Sequence, residues 1–335
     1  MTRLTVRLRD VATAAGTSAK TASRVINGDP RVSSETRARV EQAVIDLGYR
    51  PDLLARSLRK GRDESIGVVV ESIADPFFAS VTGAIEVVAL ERGITVIVAS
   101  TQRRGDLERT VVEQLAQRRV SGLIVAPVAE DHSYLRHSAA PVVFVDRTPM
   151  NLDADAVLVD DAAGARTAVA HLIAHGHRRI AYVGDVTEVQ TAVRRLEGYR
   201  EAMAQAGLPT EEQLILPVCA DKAQARTETL RLLDLAEPPT AIFSGNTRCS
   251  LGVLPALHSR GRTDIAVVGF GDFDVADALT PALTVIDHSP ELIGRLAAEF
   301  LFRRLDGDES APRTTLVPLH LVARGSGEVP VCAAT

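Results

Sequence analysis

Lys20 and Arg24 stand four residues apart, and on a helix they would share an outer side with Ala19 and Ser23. A small, cationic set of this kind can enter the major groove of a duplex, where Lys and Arg suit the acceptor edge of guanine. Ser18, Thr21 and Asn27 are polar residues at the ends of the same stretch. Contacts to phosphate there would fix register without reading sequence; the plainer alternative is that they cap and solvate the helix. Other chemistry has less behind it. His171 and His175 share a helix face, but no Glu follows His171 and no third ligand is evident, so no metal is expected. Gly269-Phe270-Gly271 lacks the third glycine of a dinucleotide fingerprint and reads as a strand-end turn, so no nucleotide or other cofactor is expected. Asp272, Asp274 and Asp277 suggest an acidic loop edge. No nucleophile and base fall into a recognisable arrangement, which speaks against an enzyme.

The elements that would position the basic set are short helices. Leu8 to Ala15 places Leu8, Val11, Ala12 and Ala15 on one face and stops at Gly16, where a positive φ is cheap. Thr17 or Ser18 can cap a second helix whose inner side is Ala22, Val25 and Ile26, before Asn27-Gly28-Asp29-Pro30 forces a turn. The pair makes a helix-turn-helix. Ser33 then caps a third helix, with Val40, Ala43, Val44 and Leu47 at helical spacing and Gly48 at its end. Three such helices can bury one shared core.

Charge is distributed to match. Residues 1–62 hold 13 Lys+Arg against 6 Asp+Glu, net +7, and the rest of the 335-residue chain is net −12. A small basic segment joined to a large acidic body points to a polyanion partner for the first part only, against the bland alternative of a solvated basic face. The length exceeds what one core sustains, and 46% hydrophobic residues suffice for two or three compact units. Apolar runs such as Ile66 to Val70 are far shorter than the roughly 20 residues of a membrane helix, and the first ten residues have no apolar signal core. Cys219, Cys249 and Cys332 lack metal or redox spacing. A cytoplasmic protein with ordinary thiols and no membrane partner is expected.

From Ser65 onward, strand-like apolar runs alternate with helix-like segments, the pattern of parallel α/β units. Ile66 to Val70, Ile94 to Ala99, Gly122 to Ala126 and Val142 to Val145 form one set of strands. Arg179 to Val183, Thr240 to Ser244 and Ile265 to Gly269 form a second. Helices read at Phe77 to Arg92, Leu107 to Arg118, Ala162 to His175, Arg195 to Ala206, Ala223 to Leu235 and Ser250 to Arg260. Two sets imply two open sheets with ligand-binding loops at the strand carboxyl ends, and a ligand between two lobes can close them.

Asp10-Val11-Ala12, Ala15-Gly16, Ser18, Ser23 to Gly28, Ser34 to Arg37 and Leu47 to Pro51 together resemble the headpiece of the lactose/galactose repressor (LacI/GalR) family. The likeness continues through Leu54 to Leu58 and, more loosely, to about Arg324. It implies a regulator that binds a double-stranded DNA operator as a homodimer and answers to a small-molecule, sugar-like effector. It also implies that the segment after Pro51, too short to be a stable helix alone, folds as a hinge helix on the operator. Leu58 would then be inserted into the minor groove as a wedge, with Ala55 one turn earlier. The expected fold is therefore α/β: a three-helix helix-turn-helix headpiece over 1–50 and a hinge over 51–62. A two-lobed domain like the periplasmic binding proteins follows over 63–326, with two parallel sheets, and a loose tail over 327–335. The chain should cross between lobes near Asp160, His288 and Leu319, with Pro290 to Arg304 and Thr314 to Leu319 returning to the first lobe. By matching motif, the effector contacts would be Asp75, Phe78, Asp146, Thr191, Arg195, Asn246, Asp272 and His288. Phe270-Gly271-Asp272 lacks the first of two acidic residues usual in the family, Thr247 replaces a usual Asp, and His288 a frequent Gln. These departures leave open a less hydroxylated or anionic effector, or none. A solute-binding transport component is the remaining, weaker alternative.

Overall fold

The computed structural model describes residues 6–26, 29–49, 65–217, 219 and 221–331. Asn27, Cys332 and the expected hinge with Ala55 and Leu58 lie outside them. The chain divides into two compact units, Met1–Asp63 and Glu64–Thr335.

In the first unit, helices α1 (Leu8–Ala14), α2 (Ala19–Ile26) and α3 (Ser34–Leu47) enclose Val11, Ala12, Ala15, Ala22, Val25, Val40 and Ala43. The turns carry out what their residues allow. Gly16 and Gly48 both sit at φ +61°, where a Cβ would be strained, and each follows a helix end. Ser33 caps α3 by accepting from Thr36 N. Leu47, expected on the inner face of α3, is instead about one-third exposed, at 36%, while Val44 and Tyr49 pack against the three-helix core at that end.

The second unit holds two six-stranded sheets. The first lobe contains β1 (Ser65–Val70), β2 (Thr95–Ser100), β3 (Leu123–Val125), β4 (Val142–Val145), β5 (Asp155–Val159) and β11 (Thr314–Val317). Their order is β11-β5-β4-β3-β1-β2, parallel throughout. The second lobe contains β6 (Ile180–Gly184), β7 (Ile215–Pro217), β8 (Ala241–Ser244), β9 (Ala266–Phe270), β10 (Thr284–Asp287) and β12 (His320–Val322). Their order is β12-β10-β9-β8-β6-β7, with β12 alone antiparallel to its neighbour. Central strands such as β1, β6 and β9 are buried along their whole length, which is why they read as unbroken apolar runs.

Helices cover both sheets. They are α4 (Pro76–Glu91), α5 (Gly105–Gln117), α6 (Asp161–Ala174), α7 (Gln190–Gln205), α8 (Lys222–Leu233), α9 (Thr247–Ser259) and α10 (Pro290–Leu305). Chain crossings fall at Asp160, at 288–289 and at 318–319, as β5 leads to α6, β10 to α10 and β11 to β12. Leu319 packs against the cores of both lobes at the last of these. Two glycines allow matching helix crossings: a Cβ on Gly198 of α7 would lie 2.3 Å from Ala162 O, and one on Gly294 of α10 would lie 2.3 Å from Val81 O of α4.

The carboxyl-terminal segment departs from expectation. The first residues of the expected 327–335 tail are held: Glu328 accepts from Thr284 Oγ1 at 2.9 Å and from Gly325 N at 2.6 Å and meets His171 Nε2 at 2.5 Å, while His177 Nε2 meets Val329 O at 2.8 Å. Glu328 and Val329 find Thr284, His171 and His177 in the second lobe more than 40 residues away in sequence, contacts that no local pattern in 327–335 signals. Cys219 and Cys249 are both buried neighbours, and the Cys249 thiol is pushed well up by its contact with Cys219 and by burial.

Candidate functional sites

The reading helix α2 is held at its start by Ser18, whose Oγ accepts from Thr21 N at 3.1 Å and lies 2.9 Å from Thr21 Oγ1. This is the capping role that competes with phosphate binding, and the hydroxyl remains exposed. Ala19, Lys20 and Arg24 are exposed, and Thr21 and Ser23 are half-buried. Arg24 keeps 48% of its side chain in solvent, with Asp29 3.8 Å from its Nε. That carboxylate is bound more firmly by Arg31, whose Nε and Nη2 approach to 2.9 and 2.8 Å, and this pairing lowers its pKa to about 2. Arg24 is thus tethered lightly and can turn to another acceptor. Its small neighbour Ala19 leaves room for close approach.

In the second unit a cavity of about 40 Å³ lies where the loops at the strand carboxyl ends of the two lobes meet. From the first lobe, Asp75 caps α4 by accepting from Phe77 N at 3.0 Å; burial pushes its pKa up, and Arg248 partly offsets this. Phe78 is buried beside Phe77, and the Phe77 ring stacks on His288 at 4.8 Å. Asp146 follows β4 at φ +70°, and burial raises its carboxyl to about 6. From the second lobe, Arg195 bonds Asp161 Oδ1 at 2.7 Å and Gly245 O at 2.8 Å and lies 3.9 Å from the Phe270 ring centre. Asn246 caps α9 through Cys249 N and donates to Asp185 at 3.2 Å. Thr191 is buried on the wall. His288, at the second crossing, is held neutral: burial, with Arg195 nearby, pushes its pKa down to about 3, and its Nδ1 has no hydrogen-bond partner among the described residues.

Arginines tie the lobes together. Arg248, at the start of α9, places Nη2 2.6 Å from Asp185 in its own lobe. It also reaches the first lobe, with Nη1 3.5 Å from Glu71 and Nε 3.4 Å from Asp75. Arg103 of the first lobe bonds Asp185 of the second, and within the first lobe Arg147 pairs with Glu71 at 2.5 Å. Across the cleft, Gln190 Oε1 accepts from Thr148 N at 2.9 Å. A second cavity of about 520 Å³ adjoins the first and shares Glu71 and Arg147 with it.

Residues 7–52 match the family of bacterial regulatory proteins, lacI family, and residues 63–325 match the periplasmic binding proteins and sugar binding domain of LacI family. The chain belongs to the LacI family. It is accordingly a DNA-binding transcriptional regulator and not an enzyme. It is 34% identical over 333 residues to the ribose operon repressor of Escherichia coli (strain K12), covering 95% of this chain and 99% of the relative. The lac repressor dimer bound to operator and the anti-inducer ONPF superposes with a TM-score of 0.86 at 28% identity, covering 97% of this chain and 99% of that one. The complex of the transcriptional regulator CelR with cellobiose superposes with a TM-score of 0.71 at 31% identity, covering 96% and 99%.

Of the effector contacts expected for a LacI family member, Asp75, Phe78, Asp146, Thr191, Arg195, Asn246 and His288 border the small cavity. Asp272 does not. It is turned to Arg324, which donates to its Oδ1 at 2.8 Å, because the loop after Gly271 leads the carboxylate away from the cleft. Glu71, Arg147, Asp185 and Arg248 were missed. Each stands within four residues of a strand carboxyl end, the position at which ligands bind in open α/β sheets, so that rule applied to every strand would have found them.

Proposed function

We propose that this LacI family protein is a cytoplasmic repressor that binds a pseudo-palindromic operator as a dimer, with affinity set by a sugar-like molecule held between the lobes. The observation that carries the reading is the pairing of an exposed Lys20–Arg24 helix face in one unit with a polar inter-lobe cleft in the other. A dimer is supported by apolar side chains left in solvent on the first lobe: Val87 and Leu90 on one side of α4, 61% and 73% exposed, and Val98 on edge strand β2. Two copies would present two reading helices to two half-sites. The named relatives support a saccharide as the effector class, since one is a ribose operon repressor and another is in complex with cellobiose. In the segment outside the described residues, Ala55 and Leu58 would supply the minor-groove contact.

A regulator without an effector is favoured by one observation: Arg248 and its three carboxylate partners already occupy the small cavity. A thermal-shift screen of the full chain against sugars, nucleosides and phosphorylated sugars separates the two. A saturable rise in melting temperature with a sugar supports the effector reading; no shift with any compound supports the other.

A further inference from the structure

The two cavities of the cleft differ in room and in wall chemistry. About 40 Å³ accommodates a few waters at roughly 10–15 Å³ each, far less than a sugar ring needs. The outer chamber, at about 520 Å³, falls in the range of roughly 300–1,000 Å³ that suits small molecules. Arg248 explains the inner shortage: its guanidinium lies among Glu71, Asp75 and Asp185 and is bound to all three, so the space a ring would enter is filled by the protein itself. The outer chamber is lined by an arginine too, Arg103, which pairs with Asp185 and Glu71, yet about 520 Å³ of it stays open. Val128 and Met150 of the first lobe face Val186 and Val189 of the second across it, and Gln190 bridges the lobes at its side. At the end it shares with the inner chamber stand Glu71 and Arg147.

We propose that the outer chamber is the principal ligand seat of this protein, and that it takes a molecule of two linked rings, a disaccharide or an aryl glycoside. The apolar walls cover the CH faces of the rings, and hydroxyls on one edge meet Glu71 and Arg147. The inner chamber stays closed by Arg248 and receives at most one polar substituent. This deepens the effector reading above and rests on it. It also accounts for the departures at Thr247, Gly271 and His288: contacts to a ring in the inner seat matter less when the ring lies outside it.

Calorimetric titration of the full chain with ribose, cellobiose and 4-nitrophenyl β-glucoside tests the seat, using wild type and two variants that fill the chamber from opposite lobes, Val189→Trp and Val128→Trp. Melting temperature checks that each variant folds, and two variants from different lobes guard against the loss of one. A two-ring probe binding wild type at least tenfold more tightly than ribose, and losing at least tenfold in both folded variants, is the expected result. Ribose binding as tightly as the two-ring probes, with no loss in the Trp variants, would overturn the outer seat and leave the effector reading standing. Absence of binding by all three probes would overturn both.

Discussion

Replacing His288 by Gln should flatten the acid side of the stability profile of the ligand-sensing unit. In the folded protein the imidazole is buried against Phe77 and Phe270 with Arg195 nearby, and its pKa is pushed down to about 3 from an ordinary value of 6.5. Its contribution is therefore fully present above pH 6.5 and is lost as pH falls toward 3, because only the unfolded ring takes up a proton in that window. At pH 5 the unfolded ring lies 1.5 units below its pKa while the folded ring stays neutral; at 1.36 kcal/mol per unit this removes about 2 kcal/mol relative to pH 7.5. Gln does not titrate, so the variant lacks this slope whatever its intercept. Asp146, raised to about 6, acts in the opposite sense: its contribution is present below 3.8 and lost as pH rises through 6. It is common to both proteins and cancels in the comparison. Urea unfolding at pH 7.5 and 5.0 should show wild type losing about 2 kcal/mol more than His288→Gln across the interval. Parallel losses in the two proteins would refute the buried neutral imidazole, as would an NMR titration that places the ring pKa near 6.

Arg24→Ala should cost about 1–3 kcal/mol of discrimination between operator and random DNA, read as a roughly 5- to 150-fold drop in the ratio of the two Kd values in anisotropy titrations; an unchanged ratio would remove Arg24 from base reading. Leu58→Ala should lower the operator bend angle in a gel-mobility phasing assay while leaving the dimer intact by ultracentrifugation, and an unchanged bend would reject the wedge. Gly294→Ala should destabilise the first lobe by about 1–3 kcal/mol, since its Cβ meets the Val81 carbonyl at 2.3 Å and the helices must separate; urea unfolding indistinguishable from wild type would show that α10 and α4 yield without cost.

Local rules sufficed for the headpiece. Gly16, Ser33 and Gly48 carry turn and cap signals that depend only on near neighbours, and α1 ends and α3 begins and ends beside them. The central strands were equally readable, because burial on both faces makes them apolar end to end. Strands β7 and β12 span three residues each, too few for any periodicity to show, and β5 opens on Asp155, which a sequence reading takes for a loop. Only the fold supplies its partners, Arg304 at 2.7 Å and Arg313 N at 2.9 Å, from about 150 residues away. Helix α7 starts at Gln190, five residues before the expected Arg195, because Val189 offers no side-chain cap to mark the boundary. The cleft shows the same division. Asp146 and Asn246 stand in motifs that can be matched, whereas Arg248 becomes a site residue only because the topology brings Glu71 and Asp75 of the other lobe to it.

Control of operator binding by a molecule in the cleft is tested most directly by one titration: labelled operator DNA, recovered by footprinting from genomic fragments, against the full-length protein with and without a saturating sugar identified by thermal shift. Coupling of about 1–3 kcal/mol, a change of roughly 5- to 150-fold in operator Kd with little change for random DNA, is the expected result. An operator Kd that is the same with the cleft saturated and without sugar would contradict it.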